Sequence, residues 1–424
     1  MPRWLYPLLI FTVLAPILSL LHVPALVIFI VTGLGILPLA GLIGQSVERV
    51  AEHTGERIGG LLFATFGNAT ELIIGIFALS EGLVDVVKAS IIGSILGNVL
   101  LVLGVSVCIG GIKYGRLRFE TRPASQYASL FALCVGGLVL PSFAQFVALT
   151  AHQPQVAIHS VVLSDFIAVL LLLGYLASIL FSVFRLGDAG GTGTEDELDP
   201  LLGARSAAAI ERLLAYRQRL AQSAQPGKSG MLRQIDGVLE TMVAPQTQEQ
   251  PTTATQEAAN NAKKPKAAEK KPKLWLALLV LAAATAGVAW LSDILVGAIE
   301  PVTAVLHWNP AFVGLVFLPL IGNITEYFNT IAMALNKRVG MVLAASAGSS
   351  IQIALLIAPL LVLVSLAAPK RLDLVFNIVE LAVLGVGAFL FSEITKDGEL
   401  VWLEGLLLIL LYAMMGGTIF LFGA

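Results

Sequence analysis

The stretch GGLLFATFGNATELIIGIFAL, residues 59–79, reads as a membrane helix with two polar residues, Asn68 and Glu71, near its middle. At a bilayer centre an acidic side chain costs about 2.5–3.5 kcal/mol on insertion scales, so it persists where a bound species or a protein partner compensates it. The same arrangement returns as GNITEY, 322–327, whose Gly322 lies 255 residues after Gly67. GSILGN at 93–98 and GSSIQI at 348–353 are separated by the same 255 residues. Two motifs in one order and one register mark an internal repeat.

Composition places the repeat in a membrane. Of the 424 residues 57% are hydrophobic and 13% charged, and mean hydropathy is +0.87, outside the range of soluble domains. A net charge of −2 gives no reason to expect a nucleic-acid partner. Cys108 and Cys134 lie in apolar segments without metal-type spacing and read as buried packing thiols. His53, in AEHTGER, has no second histidine at metal spacing and reads as part of a cytoplasmic turn.

With roughly 20 apolar residues needed per crossing, hydropathy predicts an all-α protein of about eleven transmembrane helices. The expected spans are 4–21, 24–44, 59–80, 84–110, 124–145, 158–184, 274–298, 309–333, 339–364, 373–393 and 401–422. The first is expected to be retained, since SLLHVPALVIF has no small-residue cleavage site and runs into the second. A cytoplasmic N-terminus puts Arg3, Arg49, Arg57, Lys113, Arg116, Arg118, Arg122, Lys337, Arg338 and Lys396 inside, against Lys88, Lys370 and Arg371 outside. That asymmetry sets the expected orientation.

Four regions follow: an N-terminal helix (1–22), a first five-helix repeat (23–184), a cytoplasmic linker (185–273) and a second five-helix repeat (274–424). The linker opens with the acidic, Gly-rich GDAGGTGTEDELDP and continues into ARSAAAIERLLAYRQRLAQ, expected as a short amphipathic helix. Low-complexity APQTQEQPTTATQEAANNA reads as disordered, and KKPKAAEKKPK sets six lysines beside the next span, where they could meet anionic lipid. The segment reads as a solvated linker, with regulation through its charged clusters as the sharper alternative.

An odd number of crossings per repeat inverts the second copy, the architecture of secondary transporters with a site near the midplane. Glu71 and Glu326 then meet from opposite sides. Asn68 lies three residues before Glu71, and Asn323 and Asn329 flank Glu326 by the same step, so each set is expected on one helix face. Ser90, Ser94 and Asn98 recur every four residues, and Ser349 and Gln352, with Ser346 nearby, do similar work in the second half. Glu380 and Asp165, also inside expected spans, read either as proton-pathway groups or as satisfied packing residues.

These are hard oxygen donors, which suit Ca²⁺, Mn²⁺ or Mg²⁺ better than zinc or copper. Neither 59–87 nor 274–336 contains Lys or Arg, so neither glutamate has a basic partner on its own helix. One divalent cation or two protons would neutralise the pair, and competition for the same oxygens is antiport. The candidate metal ligands are Glu71, Glu326, Asn68, Asn323, Ser94, Asn98, Ser349 and Gln352, with Glu71 and Glu326 also coupling protons. No cofactor is expected, the cation being cargo. No HExxH or paired catalytic aspartate motif supports an intramembrane hydrolase, so the chain is not read as an enzyme.

The runs GERIGGLLFATFGNATELIIGIFAL, KASIIGSILGNVLLVLG, GNITEY, AGSSIQIALL, FNIVELA and DGELVWLEG resemble the calcium/proton exchanger (CAX) family of the cation/calcium antiporter superfamily, in order and in both halves. The resemblance implies two inverted cation-binding repeats whose glutamates, Glu71 and Glu326, bind Ca²⁺ and then protons, with the GS-containing helices completing the site. Tyr327 stands where many members have His, and Val401 where Asn is frequent. EDELD, 195–199, resembles a reduced form of the family's acidic segment. A sodium/calcium exchanger of the same superfamily is the alternative, though its Ser/Thr-Pro-Glu pattern is replaced here by Ala69-Thr70-Glu71 and Ile324-Thr325-Glu326. A passive cation channel is the more distant one. The short N-terminus without a targeting extension favours a bacterial plasma membrane, with a vacuolar membrane as the alternative.

Overall fold

The computed structural model describes residues 3–54, 62, 65–150, 160–184 and 274–422. The linker at 185–273, with its expected amphipathic helix, acidic run and lysine cluster, lies outside the described residues. By its contacts the chain divides into one unit of Met1–Phe184 with Pro272–Ala424, and a second of Arg185–Lys271. Only the first is described here.

That unit is almost wholly helical. A 3-10 turn, Arg3–Leu8, leads into α1 (Leu9–Leu20), followed by α2 (Ala25–Thr54), α3 (Ala69–Ser80) and α4 (Val84–Leu96). A π-helical turn, Gly97–Val102, joins α4 to α5 (Leu103–Tyr114). Then come α6 (Thr121–Thr150) and α7 (Ser160–Phe184). After the linker follow α8 (Leu274–Gly297), α9 (Ile299–Leu306), α10 (Pro310–Gly322) and α11 (Ile324–Leu335). The chain closes with α12 (Val339–Gln352), a π-turn at Ile353–Ile357, α13 (Ala358–Val364), α14 (Ile378–Ile394) and α15 (Trp402–Phe422). A two-residue antiparallel ribbon, β1 (Leu117–Arg118) on β2 (Glu399–Leu400), ties the end of α5 to the start of α15. Among the described residues seven helices are long and apolar enough to cross a membrane, and the pair α10 and α11, bent by 58°, makes an eighth.

Three of the expected spans change form. The segment expected as one helix over 59–80 has a turn at Gly67–Asn68, and only the twelve residues of α3 are helical beyond it. The span expected at 309–333 breaks at Asn323. Both asparagines therefore sit at a helix break, ahead of the helix that carries the glutamate, rather than on a continuous polar face. The span expected from 373 becomes helical only at Ile378, because Asn377 caps α14: its side chain accepts from Glu380 N, and the Glu380 carboxylate accepts from Asn377 N. That capping box satisfies amide groups a helix start otherwise leaves bare.

Close backbone approach governs the packing around the second motif. A Cβ at Gly93 would lie 2.2 Å from Leu315 O, and one at Gly314 would lie 2.4 Å from Val86 O. Glycine at both positions lets α4 cross α10 backbone to backbone, at the π-turn Val313–Phe317.

The 255-residue register reappears in the helix ends. α3 and α11 are each twelve residues long and offset by that interval. Both end in the same way, with crossed bonds Gly82 N to Leu79 O and Leu83 N to Ala78 O, and then Lys337 N to Ala334 O and Arg338 N to Met333 O. The left-handed residue is Gly82 at φ +73° in the first case and Lys337 at φ +61° in the second. Glycine is the ordinary occupant there, and a side chain costs about 1–2 kcal/mol.

Candidate functional site

Glu71 lies in the first turn of α3 and Glu326 in the first turn of α11, so each carboxyl group faces the positive end of a short helix. The breaks at Asn68 and Asn323 create those helix starts inside the apolar layer. Glu71 is 8% exposed, and among the described residues no donor reaches either of its carboxyl oxygens. It lies against the break of the other half: a Cβ on Gly322 would stand 2.8 Å from Glu71 Oε1. Asn323 in turn lies against Gly97, whose Cβ would be 3.4 Å from Asn323 Nδ2. Glu326 holds the matching place in the other half, 255 residues on. Its Oε2 accepts a 2.8 Å bond from Thr325 Oγ1.

An unbroken chain of hydrogen bonds runs across the two halves. Asn98 Nδ2 donates to Ser349 Oγ, Ser349 Oγ donates to Asn68 Oδ1, and Asn68 Nδ2 donates to Gln352 Oε1, each at 2.9 Å. These bonds fix the amide orientations. They leave Asn98 Oδ1 without a donor, and Asn323 Oδ1, Ser94 Oγ and Ser346 Oγ are likewise buried without a partner among the described residues. A buried polar atom left unpaired costs about 1–3 kcal/mol, and six oxygens, counting both of Glu71, carry that cost here. A narrow cavity of about 10 Å³ is lined by Glu71, Gly75, Val87, Ser90, Ile91 and Ser94 of one half with Ile353, Ile357 and Leu361 of the other. Its size suits one small occupant.

All eight residues singled out from the sequence are placed at the breaks or along the π-turn helices beside them, and contacts link most of them. Asn68, Asn98, Ser349 and Gln352 form the bonded chain, while Glu71, Ser94 and Asn323 supply bare oxygens. Asn329 departs from the expected stripe. It is exposed, although it lies three residues after Glu326 on the same helix. Glu380 is held in its capping box, and Asp165 pairs with Arg371 at 2.6 Å, so both have structural partners. His53 Nδ1 contacts Arg49 O within α2. Cys134 is buried as expected, whereas Cys108 is half-buried.

Three neighbours escaped the sequence reading. Ser106 Oγ donates to Thr330 Oγ1 at 2.8 Å, and Thr330 Oγ1 donates to Glu326 O at 2.6 Å, one turn beyond the carboxylate. Tyr412 OH, from α15, donates to Leu315 O in a π-turn and lies 4.0 Å from where a Gly97 Cβ would be. Ser106 and Tyr412 are each a lone polar group in an apolar stretch, whereas Thr330 directly follows Asn329 in a polar helix start. Among the described residues no three His, Cys, Asp or Glu side chains cluster, so the polar centre is two carboxyl groups among neutral oxygens.

The chain matches the family model described as sodium/calcium exchanger protein over residues 24–184 and 276–420. It is 34% identical to the Ca(2+)/H(+) antiporter of Synechocystis over 393 residues, which is 93% of this chain and 90% of that protein. Against the Ca(2+)/H(+) antiporter ChaA of Bacillus subtilis identity is 31% over 408 residues, covering 95% and 94%. The solved structure of native YfkE superposes with a TM-score of 0.70 at 28% identity, covering 98% of this chain and 99% of that one. The crystal structure of an H+/Ca2+ exchanger, CAX, shares the fold with a TM-score of 0.57 at 12% identity.

Proposed function

The chain belongs to the sodium/calcium exchanger protein family, on its calcium/proton exchanger branch, and from that membership we propose how its residues exchange Ca²⁺ for H⁺ across a membrane. Glu71 and Glu326 hold either one Ca²⁺ or protons, and alternating access carries the site between the two sides. The observation that carries this reading is the pair of bare, buried Glu71 oxygens set against the break of the opposite half. Desolvated carboxylates need either a cation or protons.

In this reading the ligands are the bare Glu71 carboxylate, Asn98 Oδ1, Asn323 Oδ1 and Ser94 Oγ, together with the Glu326 carboxylate, one of whose oxygens also accepts from Thr325. Asn68, Ser349 and Gln352 are already engaged with one another, and they orient the ligands while offering their remaining lone pairs. Protons arriving on the glutamates remove the charge that holds the cation. Proton release on the other side restores it. Mn²⁺ fits the same donor set.

Equivalent helix ends at one interval support a duplication, which we read as an N-terminal helix over 1–22, then inverted five-helix repeats over 23–184 and 274–424 around a cytoplasmic linker, 185–273, about eleven crossings in all. The excess of basic residues at one set of loops supports a cytoplasmic N-terminus, and the bacterial relatives support a bacterial plasma membrane. The deciding experiment is flux into sealed vesicles. Acid-loaded vesicles should accumulate Ca²⁺ against its gradient, and a proton ionophore should stop them. Accumulation driven by sodium at equal pH, with no component driven by pH, would overturn the proton assignment.

A further inference from the structure

At one end of the helix layer, away from the glutamates, the two halves meet around a single aromatic ring. Tyr114 ends α5, and its hydroxyl donates to Leu335 O, the last residue of α11, at 2.7 Å. Lys113 Nζ stands 5.0 Å from the ring centroid and Lys337 Nζ stands 4.8 Å from it. Arg338 follows and is exposed, as both lysines are. Among the described residues no carboxylate pairs with any of these three cations. Glu399 is engaged with Arg116 and Arg118, and Glu393 with Lys396.

Two observations distinguish this cluster from an ordinary solvated edge. Lys337 occupies a left-handed helix terminus at φ +61°, and the corresponding position 255 residues earlier is Gly82, in the same backbone conformation with the same crossed hydrogen bonds. A lysine here is retained against backbone preference. The apolar strip beneath it is the second observation. Ile109, 37% exposed, lies three residues before Ile112, 70% exposed, and four before Lys113 on α5, and Met341, 47% exposed, lies in the first turn of α12, three residues after Arg338. Cations at the end of a lipid-facing apolar strip match an anionic headgroup above an acyl chain.

We propose that Lys113 and Lys337, set against Tyr114, with the adjoining Arg338, form a binding site for one anionic phospholipid, its phosphate between the ammonium groups and a tail along Ile109 and Ile112. The ring disperses part of the lysine charge, and the phosphate supplies the counter-charge that no carboxylate among the described residues provides. Because the turn 336–338 joins the Glu326 helix to the helix of Ser349 and Gln352, the lipid bridges the end of α5 to the second half's two site helices. The site does not depend on which cation is carried.

The test measures lipid retention by native mass spectrometry and the shift in melting temperature of the full-length protein on adding phosphatidylglycerol. Wild type is expected to retain one phosphatidylglycerol and to melt several degrees higher with it than with phosphatidylcholine. Lys337→Gly relieves the left-handed backbone and so should fold at least as well as wild type, yet lose about tenfold in lipid affinity. Lys113→Gln should lose a similar factor, whereas Arg122→Gln, on the neighbouring surface, should lose none. Glycerol 3-phosphate and inorganic phosphate should not reproduce the shift. Equal retention by Lys337→Gly and wild type overturns the proposal. So does equal stabilisation by phosphatidylcholine, and so does a full shift with either soluble phosphate, which would make the site one for a free anion.

Discussion

Asn98 donates to Ser349 across the boundary between the halves, and the same serine donates onward to Asn68, so one hydroxyl holds two amides of the first repeat in fixed orientation. An amide held in this way presents a known face. Asn98 spends its nitrogen on Ser349 and keeps its oxygen buried and unpaired among the described residues.

Glu71→Gln and Glu326→Gln should each reduce Ca²⁺ exchange to background, at least about a hundredfold, while the protein remains folded. An amide keeps the shape but removes half of the charge a divalent cation needs in a desolvated site. Flux in vesicles, with gel filtration and thermal unfolding as folding controls, decides it. Substantial transport by either folded variant would remove that glutamate from the cation site.

Asn68→Ala, Ser349→Ala and Gln352→Ala should act through orientation, raising the apparent KM for Ca²⁺ about three- to tenfold and leaving turnover measurable. Losing one hydrogen bond of a buried chain costs about 0.5–1.5 kcal/mol, which corresponds to that range. Complete loss in all three, measured as initial flux over a range of Ca²⁺ concentrations, would promote them to essential ligands.

The pH dependence has a definite sign. If protons and metal compete for the two carboxyl groups as proposed, raising pH on the loading side deprotonates them and should tighten Ca²⁺ binding, by about tenfold per pH unit for each proton displaced. The effect should level off once both are ionised and should vanish in a Glu71→Gln, Glu326→Gln double variant. Binding of ⁴⁵Ca²⁺ to purified protein across a pH series measures it directly.

Gly93→Ala should fail to assemble. Its new methyl group would fall 2.2 Å from a backbone carbonyl, and neither α4 nor the π-turn can give way without separating. A loss of about 3 kcal/mol or more is expected, seen as a drop in melting temperature or in folded yield. Gly417→Ala, with nothing within 4 Å of the added carbon among the described residues, should be close to neutral.

Removing residues 245–262 should leave exchange intact, since that composition builds no packed core. Normal flux with altered Ca²⁺ or pH dependence would instead reveal regulation through the segment.

Much of this layout is legible in the sequence because duplication leaves a ruler. Gly67 and Gly322, then Gly93 and Gly348, fix one interval, and Ala69–Ser80 and Ile324–Leu335 obey it in space. Apolar run lengths locate helices but not their breaks: hydropathy averages over a window, and Asn68 or Asn323 barely lowers that average while ending the ladder of backbone bonds. The π-turns are invisible for a related reason, because one extra residue per turn changes no residue type. Ser106 and Thr330 come together through a crossing of α5 and α11 that no spacing along the chain encodes. Asn329 shows the reverse error: three residues separate it from Glu326 on one helix, yet it is exposed, because a three-residue step rotates a side chain by about 60° around the helix axis and need not keep it on the buried side.

The bonds that shape the proposed cation site also join the two halves of the chain: Asn98 to Ser349, Ser349 to Asn68, Asn68 to Gln352, Ser350 to Ile95 and Ser106 to Thr330 each cross from one half to the other. Grip and gear change therefore share their fastenings. Strengthening this lattice to hold cargo more firmly deepens the well from which the carrier must climb to face the opposite side, and loosening it speeds the climb while blurring the grip. Affinity and speed cannot be bred independently in such a carrier, so a cell that scavenges traces and one that must shed a flood are driven toward different versions of it.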